Sequence, residues 1–373
     1  QVTELYNEKP EVDTSNFKAV LYEGTGASQY ISNVGFQPDF VWIKSRTNPS
    51  NGIYHTLMDS VRGQANGFYK SLFSNSTDQE DIISGSAYTQ AVNGGVSSFD
   101  TNGFTLSNGS GTSDDDLNVS SYSYVAWNWK GGGDAVNIGV NSITGSTPSI
   151  ASDVSANTAA GFSIVKYTGN NTAGATVAHG LDYPPEMIII KNLDNTVAAR
   201  NWAVYHSGVD ANPENYFLRL NSTINKLDFP IWNDTAPDSD VFTLGNTSQA
   251  GEANDNNNEH IAYCFHSVAG YSKIGSYNGT SSTGNRIYVD SNNDGTGTGG
   301  FEPSFVMLKR TNGTGNWFIY DNKRPNTNYL SPDLSNARGT DGGVVFTSDG
   351  FTINVTYNDH NTSGGTYLYM AFK

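Results

Sequence analysis

The sequence predicts an all-β protein of three related β-sandwich-like units in tandem, and three observations carry that reading: a composition suited to strands and turns, a fourfold series of blocks that recurs three times, and strand-like side-chain alternation within the blocks. The chain has 373 residues, enough for two or three domains that each bury a core without disulfides or metals. It holds 40 Gly, 21 Tyr and 18 Phe, with abundant Asn, Ser and Thr, a balance that disfavours long helices and favours short strands joined by tight turns.

The first recurring block is a short alternating strand: FKAVLY from Phe17, FSIVKY from Phe162 and, more loosely, YSKIGSY from Tyr271. The second is a turn and an apolar run: GFQPDFVWIK from Gly35, LDYPPEMIIIK from Leu181 and GFEPSFVMLK from Gly300. Pro38, Pro185 and Pro303 correspond, each stopping ladder pairing just ahead of an apolar stretch that reads as a central strand covered on both faces. The third block reads NWAVYH from Asn201 and NWFIYD from Asn316, with a degenerate counterpart, HTLMDSVRG, from His55. The first and third copies share an Asp with a basic residue three later, Asp59 with Arg62 and Asp321 with Arg324, expected to form ordinary salt bridges.

The fourth block is a turn-strand followed by a closing strand: FDTNGFTL and YVAWNWK, VFTL and HIAYCFH, FTSDGFTI and YLYMAFK. Asn102-Gly103 and Asp349-Gly350 are expected to supply the positive φ angles of tight hairpins. Large apolar side chains fall at every second position of the closing strands (Val125, Trp127, Trp129; Ile261, Tyr263, Phe265; Leu368, Met370, Phe372), which predicts one core face and one face outside the core. The units therefore span 16–131, 160–268 and 269–373, with 132–159, small and polar, as a linker and 1–15 as the end of an upstream domain or a linker. The short connection Val268 to Tyr271 predicts that the second and third units pack as a rigid pair.

Charge and cysteine content exclude several functions. Lys and Arg number 20 against 36 Asp and Glu, a net charge of -16 that repels phosphate backbones and anionic headgroups, so neither nucleic acid nor membrane insertion is expected. No apolar run approaches the ~18 residues of a spanning helix. Cys264 is the single cysteine, so no internal disulfide framework exists, and its place between Tyr263 and Phe265 predicts a small buried thiol. The first residue is Gln, which reads as a processed or partial chain.

Motifs for chemistry are few. The six histidines show no HExxH or close helical pair, and His260 and His266, six apart on a predicted strand, read as strand-end surface residues; no GxSxG elbow is present. No acidic residue recurs in all three copies, which argues against a glycosidase pair and for a protein that is not an enzyme. The candidate metal residues are Asp290, Asn292 and Asp294 in DSNNDG, the opening half of an EF-hand-like calcium loop, although position twelve is Phe301 instead of Glu. Asp114 to Asp116 and the run EANDNNNE from Glu252 read as solvated loops. Tyr30, Tyr54, Tyr69 and Tyr122 lie in or beside predicted loops, where aromatic faces could stack on sugars.

The phrases NVGFQPDFVWIKSR, SYVAWNWKGGG, ANTAAGFSIVKYTGN, GYSKIGSY and GGTYLYMAFK resemble those of a family of repeat-containing proteins encoded by marine bacteriophages, over nearly the whole chain from Asn16 to Lys373. That resemblance implies a place on the virion surface, as in a tail fibre or similar appendage acting by display and adhesion, with other virion proteins and a host-surface glycan as partners and no catalytic residues to carry over. It also implies a homo-oligomer, a trimer being favoured, because exposed sheets with no disulfides need their edges covered. A secreted carbohydrate-binding module, a capsid decoration protein and, further off, a glycosidase are the alternatives. VTELYNE from Val2 is similar to the end of laminin-G or concanavalin-like lectin domains, which implies a sugar-binding-type sandwich upstream.

Overall fold

The computed structural model describes residues 16–47, 53–83, 86–87, 94–107, 117–194, 200–246, 251–290 and 297–373. The VTELYNE segment, Asp114 to Asp116, Asn292 and Asp294 lie outside the described residues.

The four blocks build the same antiparallel sheet three times. In the first unit the opening strand Phe17–Glu23 pairs with the closing strand Ser123–Trp129, which pairs with the core strand Phe40–Ser45, which pairs with the third strand Thr56–Asp59. The second unit repeats this order with Phe162–Thr168, Glu259–Phe265, Met187–Asn192 and Ala203–His206. The third does so with Ser272–Asn278, Thr366–Phe372, Phe305–Arg310 and Trp317–Asp321. Each core strand begins two residues after its proline, as the missing N–H demands. Registers agree too: Trp127 faces Trp42, Tyr263 faces Ile189 and Met370 faces Met307.

A smaller sheet covers one face of each large sheet. It consists of Gln29–Ile31, Gly95–Asp100 and Gly103–Ser107 in the first unit, Ala175–Ala178 and Val241–Leu244 in the second, and Asn285–Tyr288, Val344–Thr347 and Gly350–Ile353 in the third. Separate apolar cores fill the three sandwiches. At the hairpins only the glycines carry the unusual φ, since neither Asn102 nor Asp349 is in the left-handed region. Close approach gives the fuller reason: a Cβ on Gly103 would lie 1.9 Å from the Ile31 carbonyl oxygen, and one on Gly350 would lie 2.0 Å from that of Ile287.

The other face of each large sheet is also buried, which corrects the expectation of a single core face. Every residue of the three closing strands after the first is buried. Val125, Trp127 and Trp129, Ile261, Tyr263 and Phe265, and Leu368, Met370 and Phe372 point away from their own sandwiches into one apolar cluster shared by all three units. Alternation survives, but it separates two cores instead of core from solvent. All three units therefore pack together, beyond the expected pair.

Polar contacts within this central core run in one rotational sense. Tyr263 of the second unit donates to Asp59 of the first at 2.8 Å, and Trp127 of the first donates to Asp321 of the third at 3.0 Å. Both aspartates are held by their Arg, Arg62 and Arg324, in the salt bridges expected from the sequence, and the structure adds that both pairs are buried, with side chains 0% exposed. At the third interface all members of the set change together: His206 replaces Asp, Val209 replaces Arg and Met370 replaces the donor. His206 accepts from the Gly208 amide through Nδ1, so Nε2 carries the hydrogen toward the Tyr369 carbonyl at 3.3 Å. A second cycle follows the same rotation, Trp202 donating to the Phe73 carbonyl at 3.0 Å and Trp317 to that of Arg219 at 2.9 Å, with His55 in the corresponding place and facing Ser331.

Residues 132–159 are more than a linker. Val136–Ile138 and Ser152–Asn157 extend the second unit's large sheet, Ser152–Asn157 covering its opening strand along six register pairs. The polar composition reflects an edge position, where one side of the strand meets water.

Five of the six tryptophans lie in the central core, and Trp232 alone belongs to a sandwich. Tryptophan fluorescence and far-UV circular dichroism should therefore report one coincident unfolding transition; fluorescence changing first would show that the units separate before they unfold. Arg62→Met should destabilise by about 3–5 kcal/mol, because Asp59 stays buried without its charge partner. Tyr263→Phe should cost only about 1 kcal/mol. Equal losses in chemical denaturation would overturn this account of the ring.

Candidate ligand cleft

A set of polar side chains faces an open cavity in the third unit, between the edge strand Ser272–Asn278 of its large sheet and the edge strand Asn285–Tyr288 of its small one. The cavity is about 490 Å³. In the second unit the corresponding opening strand is covered by Ser152–Asn157; in the third it is an edge, so the side of the sandwich stays open.

Asp290, Tyr369 and Arg286 give the cleft its chemistry. Asp290 is 1% exposed and accepts weakly from the Gly297 amide at 3.3 Å. Tyr369 reaches the Tyr288 carbonyl at 3.4 Å, and burial first, with Asp290 and Glu186 adding to it, raises its phenol. Gly275 makes room, since a Cβ there would lie 2.6 Å from that phenol oxygen. Arg286 pairs with Asp349 and lies 5.1 Å from the Tyr288 ring centroid. The arrangement combines an aromatic face with fixed donors and one acceptor, a set suited to hydroxyl-rich ligands.

The chain does not bring the sequence-derived metal residues to view as a set, because only Asp290 of the three is among the described residues. Among the described residues no three His, Cys, Asp or Glu side chains converge on one point. Of the loop tyrosines, Tyr30 is 49% exposed, whereas Tyr54 packs on Phe73, Tyr69 stacks on Phe99 at 3.9 Å and Tyr122 packs against the first sandwich core. The sequence reading singled out Asp290 but missed Arg286 and Tyr369, because no spacing relates Arg286 and Asp290 to Tyr369, about eighty positions away.

The histidines are not surface residues. His55, His179, His206, His260 and His360 are all buried, and only His266 is partly open, stacked on Tyr183 at 4.9 Å. The nearest approach to a catalytic constellation is His360, Tyr320 and Asp341: the Tyr320 hydroxyl lies 2.8 Å from His360 Nε2 and 2.9 Å from Asp341 Oδ2. Burial lowers His360 to about 3, so the ring is neutral, and His360 and Tyr320 are buried inside the third sandwich. Cys264 is fully buried, and burial pushes its thiol up to about 12.

Three equivalent lysines end the core strands. Lys44, Lys191 and Lys309 are buried, and each donates to one carbonyl of its own unit and one of a neighbour: Ile53 and Ser335, Arg200 and Thr77, Gly315 and Ser222. Burial pulls Lys44 and Lys191 down to about 7 and Lys309 to about 8. They serve as cross-links between units.

The chain matches, over residues 13–373, a family described as a domain of unknown function, DUF7483. It belongs to that family. The DUF7483 match spans all three units as one, which accords with a central core that no unit completes alone. No curated protein and no solved structure matches this DUF7483 chain.

The lysines set a pH dependence. Between about pH 7 and 10 the unfolded chain keeps lysine protons that the folded chain has shed, so stability rises with pH. Above about pH 10 the sign reverses, because buried Tyr167, Tyr263, Tyr277 and Tyr320 are held well above their ordinary values and the unfolded chain loses those protons first. Denaturant titrations across this range should show the maximum, and Lys44→Met with Lys191→Met should flatten its rising limb. An unchanged slope in the double variant would show that these lysines do not set it.

Proposed function

We propose that this DUF7483 chain is a structural and adhesion protein of a virion surface, of the tail-fibre or appendage type, which presents a rigid β block to a host-surface glycan. The observation that carries the reading is the joining of the three sandwiches through one buried aromatic core, which suits a load-bearing display element and leaves loops and a polar cleft as the variable surface. The resemblance to marine bacteriophage repeat proteins supports the same reading.

Oligomerisation belongs to the proposal in altered form. The outer sheet faces are already covered by the units of one chain, so a trimer is not needed to bury them; association would instead use edges and loops. Calcium at the Asp290 loop is part of the proposal too, with Asp290 as its inner carboxylate, and thermal unfolding with and without chelator tests it against Asp290→Asn.

Binding to polysaccharides extracted from candidate host cells, read by surface plasmon resonance, should be saturable and weakened at least about tenfold by Arg286→Ala if the cleft is used. Incubation with the same polysaccharides should release no reducing ends. Turnover abolished by replacing a carboxylate pair would make the protein a glycosidase and end the adhesion reading.

A further inference from the structure

The three interfaces between units differ in one chemical respect. Where the first unit meets the second, Lys130 ends the closing strand beside Asp39, whose carboxylate accepts from the Gly131 amide at 2.8 Å. Where the second meets the third, His266 lies 3.9 Å from Glu186, which accepts from the Ser267 amide at 2.7 Å. Where the third meets the first, the equivalent base is Lys373, but Ser304 occupies the place of Asp39 and Glu186. The acid is missing from the third interface alone.

A cleft of about 330 Å³ opens there, floored by Phe17 and Phe301 and bordered by Lys18, Lys323 and Lys373. Glu302 is the one carboxylate side chain that lines it. Among the described residues none of the three lysines makes an ion pair, and burial together with the charge of Lys323 depresses Lys18. Three lysines against one carboxylate leave the cleft with an excess of positive charge, on a chain of net charge -16, that an anion can balance.

We propose that this cleft binds a carboxylate of an acidic polysaccharide, a uronic acid residue whose carboxylate takes the place that Asp39 and Glu186 hold at the other two interfaces. The volume accepts one or two sugar rings. Ser304, Ser348 and Asn322 offer neutral hydrogen-bonding groups around the lysines, as ring hydroxyls require. This inference rests on the adhesion reading for the choice of a saccharide over an acidic peptide.

The test is calorimetric titration of the full chain with oligoguluronate, with a neutral oligosaccharide of equal length and with oligoglutamate. Oligoguluronate should bind, the neutral sugar should not, and affinity should fall with salt. Lys323→Gln should weaken binding about tenfold. Ser304→Asp, which installs the carboxylate of the other two interfaces, should abolish it while leaving the thermal transition in place. Absence of uronate binding, or binding unchanged in Ser304→Asp, overturns the proposal, and equal affinity for oligoglutamate overturns the saccharide assignment. If host-cell polysaccharide binding persists in Ser304→Asp, the cleft fails but adhesion stands.

Discussion

The rest of the structure depends on burial of the outward faces of the three large sheets against one another. A sandwich needs only one apolar face per sheet, and the second would ordinarily meet water. Here the core and closing strands are apolar on both faces, and Phe17, Phe40, Trp129, Phe162, Phe265, Phe305 and Phe372 meet around the centre in stacked, tilted and edge contacts, Phe17 and Phe372 being stacked with centroids 5.1 Å apart. Removing one unit would expose this whole surface, so the units are parts of one folded object.

Apolar burial alone would not fix how the units are rotated. The donor cycles do, because each is satisfied in one register: Tyr263 on Asp59, Trp127 on Asp321, the indoles of Trp202 and Trp317 on neighbouring carbonyls. The joint replacement of Asp, Arg and aromatic donor by His206, Val209 and Met370 follows from the same rule. A buried carboxylate without its Arg and its donor would be too costly, so the three positions change as a set.

The candidate clefts occupy particular places in this scaffold. The third unit's sandwich has an uncovered side that leaves Asp290 and Tyr369 facing a cavity, while residues 152–157 close that side in the second. The cleft between the third and first units lies where Ser304 departs from Asp39 and Glu186.

The sequence by itself determined the strands, their order in four blocks, the threefold repetition and the proline-marked core strands, because these rest on local geometry: alternation of period two, turn residues and the missing proline donor. Only the tertiary structure decided what the second face of the closing strands met, since an alternating pattern of large and small apolar residues is the same whether the large ones face their own sandwich or a neighbour's. The burial of the histidines and of the Asp59 and Asp321 ion pairs, and the lysine cross-links, were illegible for a related reason: burial belongs to the packing of whole units, and no residue's neighbours along the chain record it. The clefts were hidden most completely, because Asp290 and Tyr369 are joined only by the folding of the third sandwich, and Lys18 and Lys323 only by the packing of the first unit on the third.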